Sequence, residues 1–227
     1  MLNNVNITTI INPLDLLAPH SCRGCGRIGT VLCDRCKNYI LKTKCDVCPH
    51  CKSKTKNGIC KNCPDLPPVF IIGERSGLLG NLIHDYKYNS VRSLSQPLAE
   101  IFSKKLPSYS KAYLVPLPTA SHHIRSRGFD HMMLIAKRLS KLTNYKIVPI
   151  LIRAKNTVQV GTDLETRKTQ AKSAYVLKNT SIDQNATYIL LDDVWTTGAS
   201  MRASIKLLQQ AGVKQIIVAI LAINSLT

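Results

Sequence analysis

Apolar positions change period along the chain, and the changes mark its elements. Val69-Phe70-Ile71-Ile72 is a short apolar run that predicts a strand. Residues 77–88 carry Leu78, Leu82, Ile83 and Tyr86 at helical spacing. Residues 94–106 repeat that texture with Pro97 in the first turn, so both stretches predict helices. Residues 113–120 read as a strand entering a turn, and Met133, Ile135, Ala136 and Leu139 predict the helix that follows. Residues 146–152 and 174–177 read as further strands. Between them, residues 153–172 are polar and aperiodic, as in a lid or binding loop. The chain then gives a strand over 188–194, a helix over 198–211 stopped by Gly212, and a strand over 215–223. Strands this continuously apolar are covered on both faces. Strand-helix-strand order therefore predicts an α/β fold around a parallel sheet, with a ligand at the C-terminal edge of its strands.

The first third has a different texture. A short helix is expected over residues 7–19, and Pro64, Pro67 and Pro68 then mark a linker, placing an N-terminal unit at 1–66 and the α/β unit at 67–227. All nine cysteines fall between positions 22 and 63. Cys22-x-x-Cys25 and Cys33-x-x-Cys36 are separated by seven residues. Cys48-x-x-Cys51 and Cys60-x-x-Cys63 repeat the arrangement with eight. Four thiolates at such spacing suit one tetrahedral zinc ion, so two structural zinc ions are expected in a double zinc ribbon. The repeat leaves Cys45 as the unligated ninth cysteine, because pairing it with Cys48 puts eleven residues before Cys60. A cross-braced pairing would use the same eight residues. A site closed by four cysteines is structural, and it replaces the core that so short a segment cannot build.

Charge adds a partner class. The chain of 227 residues has 31 Lys and Arg against 13 Asp and Glu, a formal balance of +18. Each zinc tetrathiolate carries −2, which brings the balance to about +14. Arg23, Arg27, Arg35, Lys37, Lys42, Lys44, Lys52, Lys54, Lys56 and Lys61 frame the knuckles, as a surface that tracks a phosphodiester backbone would; a solvated rim has the same composition. No run approaches the roughly 18 apolar residues of a membrane span, and the N-terminus has no secretory pattern. Cys-x-x-Cys pairs read as zinc sites then suggest the reducing cytoplasm.

The chemistry concentrates in Tyr188-Ile-Leu-Leu-Asp192-Asp193-Val-Trp-Thr196-Thr197-Gly198-Ala199-Ser200. Asp192 and Asp193 fall at a strand end, where they can accept hydrogen bonds from vicinal ribose hydroxyls or help hold Mg²⁺. Thr196, Thr197, Gly198, Ala199 and Ser200 open a helix whose free N–H groups and dipole favour an anion, and Gly198 stands where a side chain would block close approach. A phosphorylated sugar fits both halves; an ordinary strand-to-helix turn with a solvated Asp pair is the plainer alternative. Arg125 and Arg127 flank a predicted turn at the same sheet edge, as clamps for a second phosphate or as exposed loop arginines. His122 and His123 are weak candidates for acid-base work, and no catalytic residue can be named.

These residues resemble a known family. The thirteen-residue motif resembles the phosphoribosyl pyrophosphate (PRPP) signature of type I phosphoribosyltransferases. With the paired cysteine knuckles, Val115-Pro116-Leu117-Pro118, Arg125-x-Arg127-Gly128-Phe129, Thr157-x-Gln159, Leu164, Arg167 and Ala174-Tyr175, the chain after about residue 14 resembles the ComF (ComFC, GntX-like) proteins. The resemblance implies a double zinc ribbon fused to a phosphoribosyltransferase-like domain. It also implies a role in natural transformation, with PRPP, Mg²⁺ and incoming single-stranded DNA as ligands. A competence ATPase or helicase and DNA-processing proteins would be partners. Asp192 and Asp193 would meet the ribose, residues 196–200 the 5′-phosphate, and Arg125 and Arg127 the pyrophosphate. An active phosphoribosyltransferase with a small acceptor is the alternative. Asp130 and Gln170 depart from the family, where Asn is usual at both places.

Overall fold

The computed structural model describes residues 20–43, 45–154, 175–178 and 181–224. The helix expected over 7–19 lies outside them, as do residues 155–172 of the expected lid and the family positions Thr157, Gln159, Leu164, Arg167, Gln170 and Ala174.

Five strands build one parallel sheet: β1 (Val69–Glu74), β2 (Ala112–Pro116), β3 (Lys146–Ile147), β6 (Thr187–Trp195) and β7 (Gln215–Ile223), in the order β1-β7-β6-β2-β3. β4 (Leu151–Arg153) and β5 (Tyr175–Leu177) form a separate antiparallel pair. The run expected as one strand over 146–152 is thus split between two sheets. Pro149 lies between the halves and has no N–H to give a ladder, so the chain turns there.

Helices cover both faces. On one lie α2 (Gly77–Tyr88), α3 (Ser95–Lys105) and α5 (His131–Thr143), packed on Ile189, Leu191, Ala219 and Leu221. On the other, α6 (Ala199–Gln210) sets Met201, Ile205 and Leu208 against Tyr188, Leu190, Val218 and Ile220. β7, an interior strand, buries eight of its nine residues, as strands covered on both sides must.

The cysteine-rich segment shares these cores. α1 (Asp34–Lys42) brings Cys36 and Ile40, with Val31 and Leu32, onto the α2/α3 face. Lys37 Nζ on α1 reaches Glu100 on α3 at 2.6 Å. Cys45 and Val47 pack on the opposite face beside Val69 and Ile71.

The connections out of β2 and β6 run in opposite directions, β2 to β3 and β6 to β7. A crevice opens where neighbouring strands part this way, and ligands of doubly wound sheets bind there.

Candidate functional site

Two depressions occupy this crevice. One, of about 200 Å³, is lined by Lys87 and Tyr88 from α2, residues 117–120 after β2, His123, Arg127, His131, Arg153, Tyr175 and the two aspartates. The second, of about 60 Å³, is lined by Asp192 and residues 194–201.

Successive strand residues face opposite sides, so the aspartates part company. Asp193 continues the face of Ile189 and Leu191 toward α5. There its Oδ2 lies 2.6 Å from His131 Nε2 and 2.7 Å from Lys87 Nζ. Asp192 lines both depressions, and its Oδ1 accepts the Asp193 N–H at 2.9 Å. Burial alone would raise the Asp193 carboxyl, but the hydrogen bond from His131 and the Lys87 ammonium overcome it and hold it below the usual carboxylate range. Among the described residues Asp192 forms no ion pair, and the Lys87 charge is only the least of the influences on it. Burial first, and then the charge of Asp193, push its carboxyl up to about 8.

His131 is the hub of this wall. Arg127 Nη1 lies 3.0 Å from its Nδ1, and a guanidinium can only donate. Nδ1 is therefore the acceptor and Nε2 carries the hydrogen given to Asp193. Arg127 Nε also donates to the Lys87 carbonyl at 2.5 Å, and Tyr86 Oη donates to the His131 carbonyl at 2.7 Å. Asp130 caps α5, accepting from Met133 N at 3.1 Å and from Thr119 Oγ1 at 2.9 Å. An Asn carbonyl would accept the same bonds, so the departure at this position leaves the cap intact.

The loop after β6 is built on Trp195. Gly198 caps α6 at φ +73° and has no side chain to offer the first turn; Ala199 N donates to Thr197 Oγ1 at 3.3 Å, and residues 198–201 line the second depression. A Cβ on Gly198 would fall within 2.6 Å of three atoms of the buried Trp195 ring. The close approach that demands glycine is thus to the protein's own indole.

The arginines behave differently from expectation. They lie in a helix, α4 (Ser121–Arg127), and not beside a turn; Gly128 ends it in the left-handed conformation. Arg127 lines the cleft while tied to Lys87 and His131. Arg125 is exposed and does not line the cleft. His123 lines it, but Lys87, Thr119, His131 and Arg153 are members that sequence reasoning did not select.

The thiols form two clusters, Cys22, Cys25, Cys33 and Cys36, and Cys48, Cys51, Cys60 and Cys63, each with its sulfurs within 4.8 Å of one another. Cys25 and Cys33 are 3.6 Å apart and Cys51 and Cys60 3.4 Å, near the ~3.8 Å edge of a tetrahedron with Zn–S bonds of about 2.3 Å. Cys33 N donates to Cys22 Sγ at 3.3 Å and Gly24 N at 3.4 Å. Burial of Cys22 is outweighed by such N–H bonds, and its thiol falls to about 6, whereas burial and neighbouring sulfurs push Cys36 up to about 12. One thiolate per cluster resists the ionisation of the others, and a dication would remove that resistance; these donor sets can hold zinc ions. Cys45 stands apart, its thiol raised by burial and by Glu74.

Residues 124–225, which carry the carboxylate pair and the glycine-capped helix, match the family model "Phosphoribosyl transferase domain", and the parallel sheet with its helices fits that fold class. Among curated proteins the chain is 28% identical to Competence protein F of Haemophilus influenzae over 166 residues, 67% of this chain and 71% of that one. It is 22% identical to Competence protein ComFC of Streptococcus pneumoniae over 131 residues, and 27% identical to that of Bacillus subtilis over 122. The matches span 58% and 54% of this chain and about half the length of the two ComFC proteins, 57% and 48%. Among solved structures, a Staphylococcus aureus hypoxanthine phosphoribosyltransferase aligns with TM-score 0.33 at 16% identity, covering 58% of this chain and 62% of that one. A Trypanosoma brucei adenine phosphoribosyltransferase aligns with TM-score 0.36 at 16% identity, covering 63% and 55%. The relatives, the domain match and the two four-cysteine clusters together fit the ComF/ComFC competence proteins with an N-terminal zinc ribbon. Among the described residues, no helix is long and apolar enough to cross a membrane.

Proposed function

We propose that this chain binds PRPP with Mg²⁺ in the crevice between β2 and β6 and single-stranded DNA on its basic surface, and that it serves DNA uptake into the cytoplasm during natural transformation. One observation carries the reading: a glycine-capped helix start, a cleft-facing aspartate and a basic wall of Lys87, Arg127 and Arg153 converge on one switch point. Residues 196–200 receive the 5′-phosphate. Asp192 and the open side of Asp193 receive ribose hydroxyls, and the basic wall faces the pyrophosphate. Mg²⁺ would be held by Asp192 and the ligand's own oxygens, and would offset the phosphate charge. The competence names of the relatives and the formal +18 support the DNA half.

Calorimetry with PRPP and Mg²⁺ tests the first half. Wild type should give saturable heat, and Ser200→Asp, which puts a like charge in the phosphate loop, should abolish it. Fluorescence anisotropy with labelled single strands tests the second: binding should weaken steeply with salt and survive Ser200→Asp. No PRPP heat from the zinc-loaded wild type would overturn the ligand assignment. Pyrophosphate release that requires an added acceptor would extend binding to transfer.

A further inference from the structure

His50 lies inside the first knuckle of the second cysteine cluster, between Cys48 and Cys51. Cys48 N donates to Ser53 O at 2.8 Å and Lys52 N to Cys48 O at 2.9 Å, so the thiol cluster and these bonds fix its backbone. Arg202 projects from the first turn of α6, whose opening bond is Arg202 N to Gly198 O at 2.9 Å. The two side chains meet, with Arg202 Nη1 3.4 Å from His50 Nδ1. The other arm of the same guanidinium, Nη2, donates to the Thr197 carbonyl at 2.7 Å, and its carbon sits 6.0 Å from the centre of the Trp195 ring. One planar fork thus joins the knuckle to the loop carbonyl and to the indole beneath Gly198.

An exposed arginine with two free arms would hold neither partner in place. Because a guanidinium only donates, the imidazole must present a bare Nδ1, and that acceptor is what orients the arm holding Thr197. The Thr197 carbonyl belongs to the peptide leading into Gly198, so its direction sets where the following N–H groups point.

We propose that His50 and Arg202 are positioning residues through which the second cysteine cluster, loaded with metal, holds the phosphate loop in its receptive shape. The inference rests on the PRPP reading for its ligand and on loop geometry for its second readout. Trp195 is the sole tryptophan and is buried under the loop, so its emission reports loop shape without any ligand.

The test uses the full chain with zinc content measured for every variant. PRPP and Mg²⁺ are titrated into wild type, His50→Ala, His50→Asn, Arg202→Ala and the His50→Ala/Arg202→Ala double variant. His50→Ala and Arg202→Ala should each weaken binding by about threefold to tenfold, the range for one net hydrogen bond, with zinc unchanged at two per chain. The double variant should be no weaker than Arg202→Ala, because His50 acts through Arg202. His50→Asn places an acceptor oxygen where Nδ1 was and should restore affinity. Trp195 emission without ligand should shift in His50→Ala and in Cys63→Ser, which drops one zinc per chain, and return in His50→Asn. Wild-type affinity and emission in His50→Ala, or additive losses in the double variant, would overturn the proposal. Should wild type bind no PRPP, the ligand reading alone fails and emission decides: a shift reversed by His50→Asn sustains the positioning role, and no shift overturns it.

Discussion

Gly198→Ala and Gly128→Ala separate two costs that coincide at the phosphate loop. Both glycines are left-handed, φ +73° and +76°, so an added Cβ strains either backbone by about 1–2 kcal/mol. At Gly128 nothing lies within 4 Å of that Cβ, and strain is the whole cost. At Gly198 the Cβ meets the Trp195 ring, which is 3% exposed and belongs to the same buried cluster as Met201 and Ile220. The indole has no room to retreat, so overpacking adds about 1–3 kcal/mol. In a protein of this size each kcal/mol moves Tm by about 2–4 °C. Gly198→Ala should therefore lose roughly twice the Tm that Gly128→Ala loses. Thermal unfolding followed by Trp195 emission and by far-UV circular dichroism measures both. Only Gly198→Ala should change the emission of the folded state. Equal Tm losses with unchanged emission would refute the reasoning, because the ring would then not be pinned under the loop.

Metal analysis should give two zinc ions per chain in wild type and in Cys45→Ala, whose sulfur packs in the core, and one in Cys36→Ser. Loss of metal in Cys45→Ala would break the assignment of ligands. A pH prediction follows from Asp192. Its carboxyl is raised to about 8 in the fold, so between pH 4 and 8 the folded chain holds a proton that the unfolded chain has lost. The stability of the ligand-free protein attributable to this group must fall as pH rises through that window. Asp192→Asn cannot ionise, and its advantage over wild type in denaturant melts should grow from pH 5 to pH 8. A difference that is flat or shrinks with pH contradicts the raised carboxyl of Asp192.

What was legible in the sequence depended on the reach of each interaction. The clustered cysteines come in local knuckles, and their repeat sufficed to set Cys45 apart from the other eight. Strands β1, β6 and β7 follow from unbroken apolar runs. His131 and Lys87 were harder, because their shared partner Asp193 is far away in sequence. A local signal did exist: Leu79, Ile83 and Lys87 share one helical stripe, as do His131, Ile135 and Leu139. A polar residue on a buried stripe demands a partner, and each finds Asp193. Pro149 likewise announced the break that the apolar pattern of 146–152 conceals. Arg202 carried no such mark, since its partner His50 comes from a knuckle whose place against α6 depends on the whole fold.

Adjacent carboxylates on one strand cannot do the same work, and here the surroundings settle the division. Asp193 enters the crevice already neutralised on Oδ2 by Lys87 and bonded there by His131, so a divalent cation would have to displace both to bind that oxygen. Among the described residues Asp192 forms no ion pair, the Lys87 charge is the least of the influences on it, and burial with the charge of Asp193 disfavours its anion, which makes it the carboxylate that gains most from an arriving metal or hydroxyl. In the proposed PRPP complex, Asp192 would therefore be the carboxylate that holds Mg²⁺, and the wall of Asp193, His131, Arg127 and Lys87 would act as a pre-charged frame. Asp192→Asn is the variant that should raise the Mg²⁺ concentration needed for PRPP binding. His131→Ala should instead loosen Lys87 and Arg127 together, weakening PRPP at every Mg²⁺ concentration, and a change in Mg²⁺ requirement confined to His131→Ala would reverse the assignment of the two aspartates.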